Sequence, residues 1–169
     1  MRKISEDYNV ITAREELLAL FPDNVTAESS INAISDQDVC VLAGMLAGKS
    51  ITTAGYSIPA DYGVKRASAV ALRLEQFAFP VSTRRVETES DVGSKTYQSL
   101  FFISEKDRER LRTDPDTVFC ECKQLASQKK LRREKQDMRR LLKELGTDGV
   151  QELLNQVAND GSDSKKNTG

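Results

Sequence analysis

Lys65, Arg66, Ser68, Ala69 and Arg73 lie along one segment at spacings that put them on the same side of a helix. Their side chains are cationic or short, and the chemistry open to them is recognition rather than reaction. An arginine can pair with guanine O6 and N7, and small residues can touch a thymine methyl in a major groove. Two further sets of cations lie beyond them. Arg84, Arg85 and Lys95 sit in β-rich runs, where a basic stem would lie along phosphates. Lys129, Arg132, Arg133, Arg139, Arg140 and Lys143 recur on the polar side of a later helical pattern. A solvated helix face carrying ordinary Lys and Arg is the competing account of the first and third sets.

Reaction chemistry has little to start from. The chain has no histidine, which removes the commonest general base. No GxSxG, P-loop or paired-carboxylate spacing stands out, so the chain is expected not to be an enzyme. Cys40, Cys120 and Cys122 are odd in number and form no CxxC, so neither a zinc site nor any other cofactor is expected. Reduced thiols in a cytoplasmic protein fit that pattern. No apolar run approaches the roughly 18 residues that span a bilayer, and no signal peptide is present, so no membrane association is expected.

The net charge of −1 argues weakly against a nucleic-acid partner. Its distribution argues the other way. Residues 1–50 carry four basic and eight acidic side chains, whereas residues 123–143 carry nine basic and two acidic. With 38% hydrophobic and 30% charged residues in 169, one modest core with exposed helices is expected rather than a single large core.

The elements that must position these cations can be read in order. Residues 1–34 form a helical lead-in: Thr12 with Glu15 has capping-box spacing, and 26–34 is a short helix or irregular connector. Ser35 with Asp38 starts a helix that Gly48 closes, with Val39, Val41, Leu42, Met45 and Leu46 on its buried face. Thr52 is a good N-cap, but Gly55 and Pro59 interrupt the run after it, so a second helix would begin near Ile58 and be very short. Gly63 supplies the next turn. A regular helix at 65–76 buries Val64, Ala67, Val70, Ala71 and Leu74. Runs at 81–87 and 95–103 then form a hairpin around an acidic loop, Tyr97, Leu100, Phe101, Phe102 and Ile103 making the second strand the more buried. Helix, turn, helix and hairpin is the order of a winged helix-turn-helix, assigned to 35–103. The fold expected is mainly α with a small β-hairpin.

Gly48-Lys49-Ser50-Ile51-Thr52, Tyr62-Gly63-Val64 with Arg66, and Leu72-Arg73 ahead of Pro80-Val81 resemble a small winged helix-turn-helix family of bacteriophages and prophages. The likeness covers about a third of the chain. It departs from the family in a longer 52–62 segment containing Pro59, and in Ala78 where a glycine is usual. The resemblance implies DNA binding by a phage-encoded protein in the host cytoplasm, with no specific biological role.

Residues 104–158 form a helical extension. Ser104 with Asp107 starts one helix, and a long pattern runs from Pro115 to near Leu145. Val118, Cys122 and Leu125 lie on one side of it, while Leu131, Met138, Leu141, Leu142 and Leu145 lie nearly opposite. The first half is expected to dock on the winged domain and the second to project. Gly146 is a natural stop, and Val150, Leu153, Leu154 and Val157 give a matching stripe beyond it. The two stripes either close as a helical hairpin or pair with a second subunit as a homodimer. The basic face lies along phosphates, or is merely solvated, or meets a membrane surface or acidic protein. Residues 159–169 are expected to be disordered. The leading functional expectation is a transcriptional regulator, or another DNA-transaction factor, on double-stranded DNA. The alternative is a protein-interaction module for a host factor such as RNA polymerase or a replication protein.

Overall fold

The computed structural model of the chain describes residues 2–53, 58–89 and 92–163, with side chains as far as Val157. It is mainly helical, with a small mixed sheet and a long C-terminal helix, and it divides into units at residues 1–126 and 127–169. No described helix is long and apolar enough to cross a membrane.

The first unit is built around α3, Asp36–Leu46, every residue of which is buried from Asp38 onward. Ser35 caps it, its hydroxyl accepting from Asp38 N at 3.3 Å, as the capping-box spacing predicts. Gly48 ends it at φ 86°, with Lys49 N donating to Gly44 O and Gly48 N to Met45 O, a Schellman closure. Ahead of it lie α1, Val10–Ala19, and α2, Val25–Ala33. The cap of α1 is Asn9 rather than Thr12. The Asn9 carboxamide oxygen accepts from Ile11 N at 2.9 Å and Thr12 N at 3.5 Å, so the helix starts earlier than the Thr12–Glu15 spacing suggests. Ala13, Leu17, Ala27 and Ile31 share one core with α3, so the lead-in packs on the central elements.

The sheet runs β2-β1-β4-β3, with β1 at Ile51–Thr52, β2 at Tyr62–Gly63, β3 at Val81–Glu89 and β4 at Lys95–Ile103. β3 and β4 form the expected hairpin, antiparallel and in register from Val81↔Ile103 to Glu89↔Lys95. β1 joins β4 at Ile51↔Phe101, and β2 runs parallel to β1. Residues 58–61 are not helical, and Tyr62-Gly63 is a strand, so no helix starts at Ile58; Gly55 lies outside the described residues. A pinned loop replaces the short helix. Ser50 donates to the Asp61 carboxylate from both its backbone N at 2.8 Å and its hydroxyl at 2.9 Å, and Lys49 Nζ stands 3.6 Å away. Burial pushes the Asp61 carboxyl up, but the Ser50 hydrogen bonds and Lys49 outweigh it and hold it below its ordinary value. Thr52, fully buried, donates to the Ser99 carbonyl at 3.0 Å. The Gly48–Thr52 run therefore has a structural reason for each member.

The outer edge of β2 is covered by the N-terminus. Arg2 bridges to Tyr62 in parallel, Gly63 N donates to Arg2 O, and the Tyr62 hydroxyl donates to Asp7 at 2.6 Å. A 3-10 turn at Ile4–Glu6 comes next and buries Ile4. α4 occupies Ala67–Gln76, then α5 Glu105–Thr113, capped by Ser104 as expected. α6 runs Pro115–Asp163 and is interrupted at Gly146, whose φ of 69° and ψ of 176° only glycine adopts easily. Its first turns dock through Val118 and Phe119. Phe119 packs edge-on against Phe21 and Phe79, with centroids 5.8 and 5.5 Å apart. Cys122 is half-buried, but Leu125, expected in the docking stripe, is exposed. The helix persists through Asp163, so 159–163 are helical rather than disordered, and 164–169 lie outside the described residues.

Candidate nucleic-acid interface

α4 buries Ala67, Val70, Ala71 and Leu74 as its periodicity predicts. Its start is unusual. Lys65 and Arg66 precede the helix, and Arg66, the N-cap, has a left-handed backbone (φ 55°) and makes no side-chain cap bond. α1, α2, α3 and α5 are each capped by a side chain. The positive end of α4 is thus uncapped, and two exposed cations stand beside it, a combination that attracts anions. Ser68 is exposed and Ala69 half-buried on the next turn. No ion pair engages Lys65 or Arg66 among the described residues.

Arg73, placed on the same face, is engaged by another helix. Its Nε donates to Asp38 Oδ2 and its Nη2 to Asp38 Oδ1, both at 2.7 Å. Asp38 is 1% exposed, so α4 is bolted to α3 through a two-pronged ion pair. The hydrogen bonds that Arg73 donates to this carboxylate raise its pKa above the ordinary value. Asp38 takes the edge that carries Nε and Nη2, which leaves only the Nη1 side of the guanidinium for another partner. Asp38 is the residue that sequence reasoning missed. Its capping-box position explained it locally and concealed its partner on another helix.

The α4 terminus is also a Schellman motif. Phe79 N donates to Leu74 O and Ala78 N to Glu75 O, with Ala78 at φ 67°. Ala78 therefore occupies a left-handed position that glycine would fill at less cost.

On the hairpin, Arg84 and Arg85 are exposed, but as neighbours in a strand they point to opposite faces. Arg85 lies over the Tyr97 ring, 4.9 Å from its centroid. Tyr97 is 56% exposed, against the expectation that it is buried, whereas Leu100, Phe101 and Ile103 are buried. Lys95 Nζ is 2.8 Å from Glu87 and pairs in register with Glu89, so its charge is largely answered within the hairpin. Of the three expected backbone contacts, the two arginines retain free charge.

In the second unit, Lys129, Arg132, Arg133, Arg139, Arg140 and Lys143 are all exposed. Among the described residues no carboxylate pairs with any of the four arginines. Leu131, Met138, Leu142 and Leu145 are also exposed, and Leu141 is half-buried. The four arginines and most of the leucine side of this helix are therefore exposed. No protein-family model matches the chain, and no curated protein or solved structure is similar to it.

Proposed function

We propose that this protein binds double-stranded DNA, as a transcriptional regulator or another factor in a phage-type DNA transaction in the host cytoplasm. The observation that carries the reading is the uncapped start of α4, where Lys65 and Arg66 are exposed and unpaired beside the positive helix end. Lys65, Arg66, Ser68 and Ala69 would approach the groove, and Arg84 and Arg85 the backbone. Arg132, Arg133, Arg139 and Arg140 supply a second set of exposed cations, suited to phosphates by counterion release. The helix and hairpin order, with the phage-family resemblance, supports the winged helix-turn-helix reading of 35–103. Residues 58–61 are not helical, so a second helix does not begin at Ile58.

Duplex binding measured by fluorescence anisotropy across a salt series tests this. The slope of log K against log salt should be roughly −0.9 per phosphate contacted. Lys65→Ala with Arg66→Ala should weaken binding and relax its sequence preference. Undetectable binding to duplex at low salt, with a host protein co-purifying stoichiometrically, overturns the reading in favour of a protein-interaction module.

A further inference from the structure

The two helical segments of the second unit are opposites in charge and alike in pattern. Residues 127–145 carry eight basic and three acidic side chains, net +5, and residues 147–163 carry four acidic and no basic, net −4. Each has an apolar stripe that is open over most of its length: Val150 is buried and Leu141 half-buried, but Leu131, Met138, Leu142 and Val157 are exposed. Leu145 is 47% exposed, Leu153 40% and Leu154 49%, although all three would be sealed if the segments closed on each other as a hairpin. The joint between them is Gly146, where the helix is broken.

We propose that this unit is a self-pairing element: the basic segment of one chain packs against the acidic segment of a second copy, and the reciprocal pair forms at the same time. A single chain supplies both halves of the contact, which is the condition for a closed two-fold interface. The apolar stripes give the contact its driving force. The charges decide which segment meets which. Basic on basic would place two strongly positive helices 8–10 Å apart, inside the roughly 10 Å Debye length at moderate salt, whereas basic on acidic is attractive over the same distance. Asp148 and Glu152 lie away from the stripe of their own segment, so the selection acts between whole helices rather than through particular ion pairs. This inference stands whether or not the protein binds DNA.

Sedimentation equilibrium of the full chain, without nucleic acid, tests it. The wild type should be a dimer at micromolar concentration, weakening as salt rises. In one variant, Asp148→Lys, Glu152→Lys and Asp160→Lys make the acidic segment positive. In the other, Arg132→Glu, Arg139→Glu and Lys143→Glu make the basic segment negative. Each variant alone should dimerise about 100-fold more weakly, from like-charge juxtaposition. Mixed in equal amounts they should recover a dimer, because each then offers what the other needs. Circular dichroism of each variant confirms that the helices persist. A monomeric wild type overturns the proposal, and so does a mixture that stays monomeric or a variant that dimerises as tightly as the wild type.

Discussion

Arg73 and Asp38 show how a single residue changes a functional reading. Arg73 side-chain exposure is 40%, enough for a surface residue by sequence pattern, yet its guanidinium is committed to a carboxylate that is nearly sealed from water. Removing the cation would leave that carboxylate buried without a partner, a cost of about 3 kcal/mol before allowing for solvent reaching the arginine side. Arg73→Ala is therefore expected to lower unfolding stability by about 2 kcal/mol in urea titrations. DNA affinity per folded molecule should remain within about twofold of wild type, since the Arg73 charge is already answered by Asp38 whereas Lys65 and Arg66 are exposed and in no ion pair among the described residues. Arg73→Gln with Asp38→Asn should recover part of the loss. Helical spacing placed Arg73 on the polar side of α4 correctly. Its partner, 35 residues earlier on another helix, was beyond the reach of any local pattern.

At the scale of elements, what was legible had a local chemical cause. Ser35 and Ser104 were readable as caps because a short acceptor precedes an acidic residue at the capping-box distance, and both cap as expected. Thr12 had the same spacing and lost to Asn9, whose carboxamide reaches two backbone N–H groups from further upstream. β1 and β2 are two residues each, too short for alternation to register, and their pairing depends on Asp61 and on the chain start. At the end of α4, Ala78 carries a conformational cost. The Schellman closure demands a left-handed residue there, and an L side chain in that conformation costs roughly 1–2 kcal/mol. Ala78→Gly should therefore stabilise the protein by about 0.5–1 kcal/mol, after the extra freedom glycine gives the unfolded chain. A higher urea midpoint at unchanged m-value would show it; a lower midpoint would mean that the buried methyl outweighs the strain.

Over the whole molecule, acidic and basic groups are segregated along the chain, and one titration links the fold to pH. The hydrogen bond to Asp7, then burial and the negative charge of Asp7, pushes the Tyr62 phenol up to about 12 from an ordinary 10.0. The folded state holds this proton more tightly than the unfolded chain does. The contribution is therefore complete below pH 10 and is lost as pH climbs from about 10 towards 12, an expected loss of about 2 kcal/mol. Ultraviolet titration should show a tyrosine ionising late, and Tyr62→Phe should flatten the stability curve over that window. Burial raises Tyr8 as well, so the variant is needed to assign the late step.

The same tyrosine belongs to the strip where Arg2 lies along β2, with Asp7 receiving its hydroxyl proton. Those first residues act as a selvedge, the finished border that keeps a woven cloth from unravelling. Trimming residues 2–8 would bare a strand edge ready to recruit the edge of another molecule, and the shortened protein should then aggregate before it unfolds.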